Sequence, residues 1–138
     1  MSLLRPIACA GLVLGLASLL SGCGSGSSAS VLEPSEEQVA LREVGEMYRA
    51  YGEKNHKPPR KAKDLTPFAS KFAQGSKALA DREFKVLWGA DLVPGSEAVL
   101  AFEKHADEDG GLVLLQDGET IKQVSVMEFH NAPKASRK

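Results

Sequence analysis

Cysteine is almost missing from this chain: its 138 residues hold two, Cys9 and Cys23. Cys9 lies in an apolar N-terminal run that reads as a leader, so the mature chain keeps Cys23 alone and no internal disulfide forms. The domain must therefore be held by its core. Long apolar runs are missing too. Ile7 to Leu20 is about fourteen residues, against the roughly 20 a membrane-spanning helix needs. Charge of one sign is absent: 17 basic and 18 acidic residues leave a net charge of −1. That excludes a global electrostatic case for nucleic acid. No Gly-rich phosphate loop is present, and no Ser, Cys or Lys carries a base or elbow motif around it. His56, His105 and His130 are scattered in polar contexts, with no second ligand at helical or hairpin spacing. They read as surface positions rather than a metal site or acid–base pair. The expectation is a protein without catalytic residues.

What is present begins at the N-terminus. Arg5 gives a short positive segment ahead of the apolar run, which ends in Leu20-Ser21-Gly22-Cys23. This tetrapeptide resembles the lipobox of bacterial lipoproteins. The resemblance implies that Leu20, Ser21 and Gly22 are read by a signal peptidase and that Cys23 becomes a diacylated N-terminus. A thioether to diacylglycerol needs a sulfur nucleophile, and small residues before it admit the backbone to a peptidase groove. Each buried CH2 of the acyl chains contributes about 0.8 kcal/mol, so two or more chains anchor stably. The chain is thus expected in the cell envelope, on the periplasmic or outer-surface face of a bacterial membrane. The covalent acyl lipid is its only cofactor. Residues 1–22 form the signal peptide, and residues 23–34 the lipidated cysteine with a Gly/Ser tether. That tether has a reach of about 15 Å.

The mature part, about 115 residues, suffices for one domain with a modest core. Ser35-Glu36-Glu37-Gln38 is a capping box opening a helix in which Leu41, Val44, Tyr48 and Tyr51 recur at helical spacing, with Gly52 as its stop. Pro58-Pro59 extends the chain. A short second helix is predicted within Leu65 to Phe72, burying Leu65, Phe68 and Phe72, with Gly75 and Ser76 interrupting any continuation. From Glu83 the period changes to two: Phe84, Val86 and Trp88 alternate with polar residues, and Ala98, Leu100 and Phe102 do likewise. Leu112 to Leu115 is apolar on both faces and reads as a central strand. Asp117-Gly118 signals a hairpin which, as a two-residue turn, sets Leu114 opposite Ile121. Ser125-Val126-Met127-Glu128 is a second capping box opening a last helical turn through Phe129. The sum is α+β: a long and a short helix on one face of a four-stranded antiparallel sheet across residues 35–130, followed by a flexible basic tail, 131–138.

Three stretches then resemble the pilin-like and pseudopilin-like proteins of planctomycete-type bacteria. They are the helix carrying Tyr48 and Tyr51 followed by Lys57-Pro58-Pro59 and Asp64-Leu65, the strand Lys85 to Gly89 with Val99 to Glu103, and Gly110 to Gly118 ending in Met127-Glu128-Phe129. The last is similar to the H-x9-DG signature of that group, with Asp107 at its histidine position and His105 two residues earlier. Pilins keep an uncleaved apolar helix for polymerisation; here a lipobox and polar tether stand in that place.

Two charge clusters are candidates for binding. Glu103, Asp107 and Asp109, with Glu108 beside them, offer hard oxygens to Ca2+, and calcium binding in sheet loops of some pseudopilins adds to that reading. Their spacing is not that of an EF-hand, and a solvated acidic turn is the plainer alternative. Lys54, Lys57, Arg60, Lys61 and Lys63 form a basic loop around two prolines, suited to an anionic lipid, an acidic partner or a cell-wall polymer. A solvated connector is the plainer alternative there too. The function expected is a non-enzymatic, lipid-anchored interaction or assembly module with an envelope protein partner and no nucleic acid. The alternative is a small envelope enzyme or ligand-binding lipoprotein, built on a pocket gathering Glu103, His105 and Trp88.

Overall fold

The computed structural model describes residues 33–137. Leu20, Ser21, Gly22 and Cys23 lie outside them. Helix α1 spans Glu36–Asn55. Its capping box is formed on both sides: the Ser35 hydroxyl accepts from the Gln38 N–H, and the Gln38 side chain accepts from the Ser35 N–H. Ala40, Leu41, Val44, Met47 and Tyr48 make its buried stripe. The helix does not stop at Gly52. It runs to Asn55, whose side-chain amide donates to the Tyr51 carbonyl, and His56 closes it in the left-handed region at φ 53°. The stop signal is Pro58, which disfavours helical backbone just before it.

The second helix departs from expectation. A 3-10 segment covers Ala62–Phe68 and contains Pro67. Helix α2 then spans Ala73–Ala80, straight through Gly75 and Ser76. Gly75 is no interruption but a point of close approach. A Cβ there would lie 2.8 Å from the Glu43 Cβ and 3.0 Å from the Ala40 carbonyl oxygen, so only glycine lets α2 lie this near α1. The Gly75 N–H donates to the Glu43 carboxylate at 2.7 Å, tying the two helices.

The sheet is a four-stranded antiparallel meander of β1 (Phe84–Val86), β2 (Val99–Glu103), β3 (Gly111–Leu115) and β4 (Ile121–Val124), in that order. β3 is central and wholly buried, and Leu114 pairs with Ile121. The register is that of a two-residue turn, yet the tight turn is centred one residue early: the Gly118 N–H donates to the Leu115 carbonyl. Asp117 accepts from the Glu119 and Thr120 N–H groups and the Thr120 hydroxyl, which close the loop. Burial pushes the Asp117 carboxyl up, but those bonds outweigh it and hold the group below its ordinary value.

Strand β2 breaks the expected alternation. A bulge between Val99 and Ala101 places Leu100 with the α1-facing core and Phe102 with the opposite one. An extra residue inverts which face the following side chains meet. Both sheet faces are therefore covered, not one. The second is closed by α3 (Ala106–Asp109) and α4 (Val126–Asn131), with the Phe129 ring 4.8 Å from that of Phe102. The α4 capping box forms through Ser125 and Glu128 as expected.

Residues 133–135 of the tail are pinned to the sheet. Val99 donates to the Pro133 carbonyl and Ala135 donates back to Val99, both at 2.8 Å, a parallel bridge where β1 has ended. Ala135 is buried, and the Lys134 ammonium sits 4.2 Å above the Phe129 ring.

Candidate functional site

The five basic residues gather at the C-terminal end of α1. Lys54 lies in its last turn, Lys57 and Arg60 flank Pro58 and Pro59, and Lys61 and Lys63 open the 3-10 segment. All five are exposed, and no ion pair among the described residues involves any of them. The loop that carries them is fixed. Pro59 is fully buried, its carbonyl accepts from the Gly89 N–H at 2.8 Å, and the Arg60 N–H donates to the Asp64 carboxylate at 2.9 Å.

The basic tail adds a cation whose place beside this loop the sequence does not reveal. Arg137 Nε donates to the Trp88 carbonyl at 2.9 Å. Its stem crosses Gly89, which at φ +85° has no Cβ to meet it; one would fall 3.1 Å from the Arg137 Cγ. The result is a cleft of about 370 Å³ lined by Lys57, Pro58, Arg60, Gly89, Asp91 and Arg137. Arg137 and Trp88 are 49 positions apart, so no local pattern links them.

Tyr48 lines a neighbouring pocket that shares Lys57, Pro58 and Asp91 with this cleft. Its hydroxyl donates to the Ala90 carbonyl at 2.6 Å, and its ring stacks on Trp88 with centroids 6.3 Å apart. Burial pushes the Tyr48 phenol from its ordinary value near 10 up to about 12. The folded state thus holds a proton that the unfolded chain releases first. Stability is complete below about pH 10 and falls as pH rises toward 12, by about 2–3 kcal/mol for two pH units. Thermal melts between pH 9 and 12 should show this loss, and Tyr48→Phe should abolish it. That variant should also cost about 1–2 kcal/mol at neutral pH, because the Ala90 carbonyl loses its donor. An unchanged alkaline slope in Tyr48→Phe would contradict the assignment.

Of the acidic candidates, Glu103 and Asp109 line one groove, while Asp107 is not part of its lining. Asp107 and Asp109 lie two apart in the turn of α3, a spacing that does not share a helix face. The Glu103 carboxylate accepts the Leu112 N–H at 2.7 Å, and Asp107 faces Lys85 Nζ at 3.6 Å. Among the described residues no three His, Cys, Asp or Glu side chains form a group able to hold a metal. The histidines stay apart as well. His56 caps α1, His105 pairs with Glu108 at 3.6 Å, and His130 Nε2 lies 3.1 Å from the Asp107 carbonyl. A groove of about 750 Å³ does bring Glu103 and His105 together, with Glu36, Glu37 and Glu83 on its walls. Trp88 is not part of it.

Comparison with known proteins adds no relative: no protein-family model matches the chain, and no curated protein or solved structure matches it.

Proposed function

We propose that this is a lipid-anchored protein of the bacterial cell envelope, whose domain works without catalysis as an interaction module of pilin-like descent. The observation that carries the reading is Cys23, placed directly after Ser21-Gly22 at the end of the apolar run and followed by a Gly/Ser tether. Two features support it. The rigidly held basic tip, whose cations make no ion pair among the described residues, supplies a contact surface. The long helix leading into an antiparallel meander supports the pilin-like part.

Replacing Cys23 by Ala should move the protein from the membrane to the soluble fraction or leave an uncleaved precursor. Crosslinking in intact cells should recover an envelope component from the native chain. Membrane retention of a cleaved Cys23→Ala protein contradicts the anchor. A second reading, a ligand-binding or hydrolytic lipoprotein, is favoured by the groove that joins Glu103 to His105. Loss of a measured hydrolytic activity in Glu103→Gln, with folding intact, would establish it.

A further inference from the structure

We infer that the cleft between Lys57, Arg60 and Arg137 is a phosphate-binding site, and that its ligand is a phosphate-bearing polymer of the envelope. The inference deepens the reading of the basic tip as the contact surface. It does not require the lipid on Cys23.

The backbone around the cleft and the Arg137 side chain are both held. Pro59 and Gly89 are joined by a backbone hydrogen bond, so the loop bearing Lys57 and Arg60 is pinned to the segment after β1. Arg137 reaches that segment from the opposite terminus of the domain, its Nε committed to the Trp88 carbonyl. Two guanidinium groups and an ammonium thus line one concave space, opposed by a single carboxylate, Asp91. Three like charges lining one cleft repel each other, and an anion bound between them offsets that repulsion. A carboxylate offers two oxygens and one charge, whereas a phosphate offers more acceptors to several converging donors. Arginine forks suit such an oxyanion in bidentate geometry. The volume of about 370 Å³ admits a phosphate together with part of the unit that carries it.

Polymer is favoured over bilayer by what surrounds the cleft. Lys54, Lys61 and Lys63 flank the same loop, exposed and outside any ion pair among the described residues, where they can meet successive charges of one chain. The large exposed apolar side chains of the described residues, Val93 and Met127, line neither the cleft nor the basic loop, so the tip carries no wedge for lipid. The tip also lies at the end of the 20-residue α1 opposite to where residues 33–35 enter it, about 30 Å away.

Trp88, the only tryptophan, neighbours the cleft and reports on it. The full chain in neutral detergent is titrated with inorganic polyphosphate, orthophosphate, and vesicles of phosphatidylglycerol in neutral lipid, at matched phosphate. Polyphosphate should change Trp88 emission saturably and bind more tightly than orthophosphate or the vesicles. Arg60→Gln and Arg137→Gln should each weaken it about tenfold, the loss of one charge-assisted contact. Lys63→Gln should weaken it less than about threefold. Arg137→Lys, which keeps the charge but not the Trp88 bond, should fall between. Three results overturn the proposal: no saturable binding in a folded chain, equal losses at Lys63 and in the cleft, or tighter binding to the anionic vesicles. If binding fails while Cys23 is found acylated, the site falls and the anchor stands. If polyphosphate binds while Cys23 carries a free thiol, the anchor falls and the site stands.

Discussion

Gly45→Ala is expected to lower stability by about 2–4 kcal/mol, enough to shift the melting temperature by about 10 °C or more. Gly45 lies on the buried side of α1, where the helix crosses the β3–β4 hairpin. A Cβ at this position would fall against the Gly118 carbonyl oxygen, well inside van der Waals contact, with the Gly118 carbonyl carbon at 3.2 Å and Leu114 Cδ2 at 3.3 Å. Backbone cannot rotate aside as a flexible side chain can. The helix would have to lift from the hairpin, and Leu41, Val44 and Tyr48 would lose part of their burial. Gly52→Ala in the same helix is the control, since nothing lies within 4 Å of a Cβ there. That change should stabilise the protein by about 0.5–1 kcal/mol through helix propensity alone. Denaturant midpoints of the two variants moving the same way would contradict this packing.

Deleting residues 132–138 is expected to cost about 3 kcal/mol and to remove one wall of the cationic cleft. The deletion strips both hydrogen bonds from Val99, whose N–H and carbonyl are then left without their 2.8 Å partners at a buried position. Each unsatisfied buried group costs about 1–3 kcal/mol. The buried Ala135 methyl and the Lys134 cover over Phe129 go with them. Removing only residues 136–138 spares the bridge and takes away Arg137, so stability should change by less than about 1 kcal/mol while polyphosphate binding weakens. A full deletion as stable as the intact chain would mean that the tail is the loose appendage its composition suggests.

That contrast shows where sequence patterns carry information. The capping boxes at Ser35 and Ser125 and the pairing of Leu114 with Ile121 are legible, because each is decided within a few residues. The central position of β3 is legible from its two apolar faces. Gly75 misleads because its value lies in the Ala40 and Val44 backbone it approaches, 31 and more positions away. The inverted faces of Leu100 and Phe102 depend on a bulge with no glycine to mark it. Arg137 is legible only as one charge of a basic tail, not as part of a site. Its partner is a backbone carbonyl, which every residue has, so nothing in side-chain chemistry points to Trp88. The basic loop is legible as a charge cluster. Its conversion into a cleft is not, since that takes the tail and the segment after β1 together.

The proposed role of this protein turns on the chemistry at position 23, and the intact mass of the chain purified from its native membrane reads that chemistry directly. The expected result is a polypeptide that starts at Cys23 and carries diacylglycerol through the thioether. A chain that retains residues 1–22, or one that starts elsewhere with an unmodified thiol, would contradict it.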